Sequence, residues 1–168
     1  MTDFVSKDSF AIENPTSFVI DSALQKNYKK FHKANNRQID SAISYGRPYL
    51  YSWHQRDTNF IEFTTIVDDS EHGIRIVYFI FDKNGNMISY AQIANIGWEE
   101  RMIYETRSEF KSNDTLIKVS AASTWFDKNG QKMTKPKGDS TFSELTFTKQ
   151  GQIIEKKLFQ KDELASGQ

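Results

Sequence analysis

The sequence predicts a mainly β domain of the α+β class. The expected fold is an antiparallel meander of about eight strands, forming a barrel, half-barrel or sandwich, with an N-terminal helix packed on it. Three observations predict it. One turn is written three times, as Phe81-Asp82-Lys83-Asn84-Gly85-Asn86, Phe126-Asp127-Lys128-Asn129-Gly130-Gln131 and, more loosely, Phe147-Thr148-Lys149-Gln150-Gly151-Gln152. Each copy lies between two apolar or β-branched runs. Hydrophobic residues repeat with a period of two from Tyr49 onward, and helical periodicity is confined to the residues before it. No βαβ alternation appears, which argues against a parallel sheet.

The turn has a specific chemistry. Asp in first place bonds backbone amides two residues on, and Gly in fourth place enters positive φ without a steric penalty. Together they describe a type I turn closed by a left-handed glycine, the connection of an antiparallel hairpin.

Taken in order, residues 1–20 read as an arm with a turn at Asn14-Pro15 and an apolar patch at Phe18-Val19-Ile20. Ser22 with Gln25 is a capping-box pattern, and Asp21 suits the positive end of a helix dipole. Leu24, Tyr28 and Phe31 form one stripe, which predicts a helix over about 22–34. Ile39, Ala42 and Ile43 suggest a second short helix stopped at Gly46-Arg47-Pro48. Tyr49, Tyr51 and Trp53 are expected on one face of a strand, with Leu50 and Ser52 on the other.

Phe60–Val67 is the next strand. Ile74–Phe81, with Arg75 its only charge, reads as a strand buried on both faces. Met87–Ile93 pairs back across the first repeated turn. Trp98–Phe110 reads as one half-exposed strand, with Arg101, Glu105, Arg107 and Glu109 on its wet side. Thr115–Phe126 is a long strand with small residues, Ser120 to Ser123, at its middle. Lys132–Asp139 is read as a polar loop, Phe142–Phe147 and Ile153–Phe159 as the last hairpin, and 161–168 as a frayed tail. Residues 21–160 thus make a single domain.

At 168 residues the chain can bury roughly 70% of its unfolded surface. Aromatics at 14% are too frequent for disorder. The 22 basic and 22 acidic residues cancel, so any charged partner must be met by a local patch. The absence of cysteine excludes disulfides, thiolate metal sites and cysteine nucleophiles. No stretch of 18 apolar residues predicts a membrane-spanning helix. Residues 1–17 lack the apolar core of a secretory signal, and Lys161-Asp162-Glu163-Leu164 is not C-terminal, as a retention tag must be.

Each candidate site has a structural alternative. Asp82, Asn84 and Asn86 alternate as in a calcium loop, but Met87 and Ile93 stand where such a loop needs Gly and Glu, so the turn reading is preferred. Asp68, Asp69, Glu71 and His72 read as a solvated acidic turn. His32 reads as a solvated helix-face residue. His54 acting as a general base would need a nucleophile and an orienting carboxylate that its neighbours in sequence do not supply. Glu99 and Glu100 point to opposite faces of a strand. No catalytic residue, metal site or cofactor is therefore expected.

Two basic clusters stand out: Lys26, Lys29, Lys30, Lys33 and Arg37 on the helix, and Lys128, Lys132, Lys135 and Lys137 near the second repeated turn. Either is a solvated face or the contact surface for an acidic protein partner. Aromatics are not interleaved with these lysines, which argues against nucleic acid. Tyr51 and Trp53 are either core or interface anchors.

Strands that end Phe-Asp-Lys-Asn-Gly-Asn and resume with Ile-Ser, after a lysine-rich N-terminal segment, resemble the small exported lipoproteins and interbacterial toxin-immunity proteins of Gram-negative bacteria across roughly residues 60–160. The resemblance implies a periplasmic or otherwise exported, non-catalytic protein that binds another protein such as a toxin. A lipid anchor would have to lie outside this chain, which has no cysteine to carry it. The alternatives are a barrel enclosing a small apolar ligand and, third, a hydrolase.

Overall fold

A computed structural model describes residues 9–10, 22–44, 46–54, 57–68 and 73–163. Eight strands follow one another in the sheet in chain order: β2 (Arg47–His54), β3 (Phe60–Asp68), β4 (Gly73–Asp82), β5 (Met87–Glu99), β6 (Met102–Ser112), β7 (Thr115–Phe126), β8 (Lys132–Phe147) and β9 (Ile153–Glu163). Every pairing is antiparallel. The meander is as expected, and it does not close into a barrel: β2 and β9 are its two edges. One helix, α1 (Ser22–Ile43), accompanies it. No helix among the described residues is long and apolar enough to cross a membrane.

The three repeated turns fold alike. Asp82, Asp127 and Thr148 each donate their amide to the carbonyl four residues on, and each accepts a bond from the glycine three residues on. Gly85, Gly130 and Gly151 have φ of +86°, +79° and +79°. The Asp82 carboxylate takes the amides of Asn84 and Asn86 on one oxygen and the Asn86 side chain on the other. These bonds favour the charged form and hold the Asp82 carboxyl below the usual carboxylate range, the Asn86 side chain contributing most. Both oxygens thus serve the backbone turn.

β4 is buried on both faces, and each face has its own core. Ile76, Tyr78 and Ile80 join Ile66, Ile93, Leu116, Leu145 and Phe147 in one cluster. Val77, Phe79 and Phe81 join Leu50, Phe63, Val67 and, from the helix, Tyr28, Ile39 and Ile43 in the other. That β7 and β8 side chains reach those of β4, three and four places away in the sheet, shows how strongly the sheet curls. The hydroxyl of Ser89 on β5 likewise donates to the Gly151 carbonyl beside β9, at 2.6 Å.

α1 joins the two predicted helices into one element broken at Asn35, whose φ and ψ of −122° and 16° lie outside the helical range. The Asn35 side chain donates to the Phe31 carbonyl at 2.9 Å, standing in for a backbone amide. The bend brings His32 to 3.2 Å from Asp40, although eight residues of straight helix span about 12 Å. Beyond the bend, Gln38 grips the first repeated turn, donating to the Gly85 carbonyl and accepting from the Met87 amide. The side chains of residues 22–25, including the predicted cap and Leu24, lie outside those described, as do Asp21 and Phe18–Ile20.

Four readings need correction. First, Trp98–Phe110 is not one strand: β5 runs on to Glu99 and the chain reverses at Glu100 and Arg101. Glu100 takes a φ of 48° there, so the turn carries no glycine or asparagine to announce it, and Glu99 and Glu100 are not neighbours along a strand. Second, Lys132–Asp139 belongs to β8 rather than to a loop. Its ladder does lapse: Thr124 faces Lys137 and Phe126 faces Lys132, so that Met133 to Pro136 lie opposite Trp125 alone.

Third, Lys161 to Glu163 continue β9 opposite β8 instead of fraying. Fourth, the arm contributes a strand. β1 (Ser9–Phe10) pairs with Glu109 and Ser108 of β6. The β5–β6 ladder ends at Asn95 and Thr106, and β1 takes up the edge of β6 that this leaves free. Phe10 is fully buried in the first core.

Candidate functional site

The β5–β6 turn and the β7–β8 turn meet at one end of the sheet. Trp98 faces Ile103, and Ile103 faces Ser123. Trp125 lies two residues beyond Ser123 and so on the same face of β7. Trp98, Ile103 and Trp125 are 50%, 41% and 37% exposed, a row of large apolar side chains in water. Arg101 reaches from its turn to the ring of Phe126, 5.4 Å from the centroid, a cation–π contact that couples the two turns. A Cβ on Gly130 would fall 2.7 Å from an Arg101 guanidinium nitrogen, so the glycine also makes room for this cation.

The predicted lysines lie at the same end of the sheet. Lys128, Lys132, Lys135 and Lys137 are all exposed. The lapse in the β7–β8 ladder spreads them: Lys137 and Lys132 face Thr124 and Phe126, the neighbours of Trp125 that alternate onto the other face of β7, and Lys135 lies in the stretch between them. Exposed Glu99 and Glu100 sit at the turn beside Arg101. The second basic cluster thus shares the end of the sheet with the aromatic row, Lys132 and Lys137 at positions on the opposite face. The sequence reading missed Trp98, Ile103, Trp125 and Arg101 as members, because they come from different hairpins. The available signal was Trp125 itself, an aromatic one residue from a repeated turn.

The helix cluster is separate. Lys26, Lys29, Lys30, Lys33 and Arg37 are exposed on α1, whose opposite side packs on β2, β3 and β4 in the second core. The two basic clusters are carried by different parts of the sheet.

Tyr51 and Trp53 do not share a face. Leu50 faces Thr65 and Ser52 faces Thr64, so Tyr51 is the extra residue of a bulge that shifts the alternation by one. Tyr51 packs against the first core and Trp53 against the second, its ring 5.2 Å from that of Phe63. Both are half-buried, each packed on a different core.

The same bulge turns Ser52 and His54 inward together. Ser52 Oγ lies 2.9 Å from His54 Nε2 and 2.5 Å from Thr64 Oγ1. His54 faces Glu62 across the ladder, and Glu62 accepts a hydrogen bond from the Tyr78 hydroxyl at 2.7 Å. A hydroxyl, an imidazole and a carboxylate thus converge from β2 and β3, which the sequence reading of His54 did not foresee because the residues come from two strands.

The cluster is sealed. Ser52, His54, Glu62, Thr64 and Tyr78 are all buried, and the Phe10, Tyr78 and Phe110 rings close around His54 at 5.9, 4.8 and 6.4 Å. The arrangement satisfies polar groups in the interior, and Ser52 is 2% exposed. Asp69 to His72, the rest of the acidic loop after Asp68, lie outside the described residues.

In the first core Tyr78, Phe110 and Phe147 meet ring to ring at 5.2–6.2 Å. A cavity of about 440 Å³ lies beside β1, lined by Phe10, Arg107, Ser108, Glu109, Lys111, Ile117 and Val119. Comparison with known proteins gives no match to a family model, a curated sequence or a solved structure.

Proposed function

We propose that the chain is a non-catalytic binding module whose target is another protein with an acidic surface. The observation that supports this reading is the exposed row Trp98, Ile103 and Trp125 at the end of the sheet that also carries exposed Arg101, Lys128, Lys132, Lys135 and Lys137. Tryptophan and arginine dominate interface hot spots, and lysines near them speed and orient the approach of an acidic partner. The aromatic part also explains how a chain of zero net charge would hold such a partner, since desolvation of two indoles does not depend on a global field.

Neutralisation of a toxin in an exported compartment, as the resemblance to immunity proteins implies, is the form of this function we favour. A surface of this kind would cover an acidic patch on the toxin without chemistry of its own. The helix lysines are a second, weaker contact in this reading.

The test is a comparative capture from the native source. Wild-type chain is set beside Trp98→Ala/Trp125→Ala and Lys132→Glu/Lys135→Glu/Lys137→Glu. A partner is expected on the wild type, depleted at least about tenfold on both variants, which corresponds to roughly 1.4 kcal/mol or more. Identical protein sets on all three baits would overturn the proposal.

A further inference from the structure

We propose that β9 is a self-pairing edge through which two copies of this chain form a twofold dimer, centred on Gln160. The proposal is independent of the aromatic and basic end of the sheet described above.

β9 is the last strand of the sheet and its outer edge has no partner among the described residues. Residues 154–161 are all exposed. They include three large apolar side chains, Ile154, Leu158 and Phe159, at 56%, 44% and 54%. An open edge presents a row of unpaired backbone donors and acceptors, and proteins normally shorten, cover or charge such an edge. Here the strand is eleven residues long. Its charges favour one way of pairing.

In an antiparallel pair related by a twofold axis, one position faces its own copy, and residues facing each other lie on the same side of the sheet. β9 has a bulge: Ser143 faces Lys157 and Phe142 faces Phe159, leaving Leu158 without a partner. The register on β8 therefore puts Lys157, Gln160 and Asp162 at positions on one face, and Lys156, Phe159, Lys161 and Glu163 on the other. Centring the axis on Glu155, Lys156, Lys157, Lys161 or Asp162 sets a charge against itself. Centring it on Phe159 sets Lys161 against Lys156 and Asp162 against Glu155.

Centring it on Gln160 removes every such conflict. Phe159 then faces Lys161, and, across the Leu158 bulge, Lys157 faces Asp162 and Lys156 faces Glu163. The twofold doubles each pairing. Within one chain Lys157 already bonds Gln160 Oε1 at 2.7 Å, which holds its ammonium toward the strand position where the axis falls. Among the registers that pair β9 along most of its length with facing residues on one side, this one sets no like charges against each other.

The experiment is sedimentation equilibrium on the full chain from about 1 µM to about 1 mM, at low salt and at about 0.5 M salt. A dimer is expected whose dissociation constant rises with salt. Lys156→Glu/Lys157→Glu should raise that constant at least about tenfold, and adding Asp162→Lys/Glu163→Lys to it should restore the wild-type value. A monomer at every concentration overturns the proposal. So does a dimer indifferent to the double reversal, or one that the fourfold exchange fails to restore.

Discussion

Phe63 is the residue on which attachment of the helix depends most. It is fully buried, and five rings surround it: Tyr28 at 5.7 Å and Phe31 at 5.5 Å from α1, Trp53 at 5.2 Å from β2, and Phe79 and Phe81 at 5.4 and 5.7 Å from β4. Phe63→Ala removes the ring that all five contact and leaves a cavity between two layers that cannot collapse together without moving the helix. The cost of such truncations is about 3–5 kcal/mol, against a total stability of about 5–15 kcal/mol for a domain of this kind.

Phe63→Leu keeps most of the volume and should cost about 1.5 kcal/mol. Trp98→Ala, at a half-exposed site, should stay within about 1 kcal/mol of wild type. Urea denaturation at constant m-value reads all three, and amide exchange should show α1 losing protection in Phe63→Ala before the β4–β5 ladder does. A Phe63→Ala protein within about 1 kcal/mol of wild type would refute the claim that this ring joins helix to sheet.

Two further outcomes follow from the turns and the interior network. Because the Asp82 carboxyl is held below its ordinary value of 3.8 in the folded chain, its contribution to stability is present above that pH and lost as the pH falls through the lowered value. The difference in melting temperature between wild type and Asp82→Ala should accordingly shrink between pH 5 and pH 2.5, and a difference that stays constant would contradict the bonding described. His54→Ala should cost about 2–4 kcal/mol, from the lost ring and its bond to Ser52. An esterase or amidase activity abolished by Ser52→Ala at unchanged stability would show instead that the buried hydroxyl–imidazole pair is a working site.

The parts of the fold legible in the sequence are those set by local chemistry. Asp and Gly at fixed offsets specify the repeated turns, because an Asx-bonded type I turn followed by a left-handed residue needs those two side chains. Ile74–Phe81 announced burial on both faces by being apolar at every position but one. Where a local conformation was reached without its customary residue, the reading failed. Glu100 turns the chain at positive φ, and the Tyr51 bulge reverses the faces of β2 with nothing in Pro48 to His54 to mark it. Of the proposed surface, the lysines were visible as a run and the aromatics were not, since Trp98, Ile103 and Trp125 are brought together by the β5–β6 and β6–β7 registers.

The sequence by itself determined an antiparallel meander with a helix before it, since period, turn chemistry and strand length are properties of neighbouring residues. Only the tertiary structure decided that the sheet stays open, that β1 fills the edge β5 leaves on β6, and that Ser52, His54 and Glu62 meet inside while Trp98 and Trp125 remain outside. Those outcomes depend on bulges and on the curl of the whole sheet. Both arise from packing between strands far apart in the chain, where a shift of one residue exchanges the buried face for the exposed one.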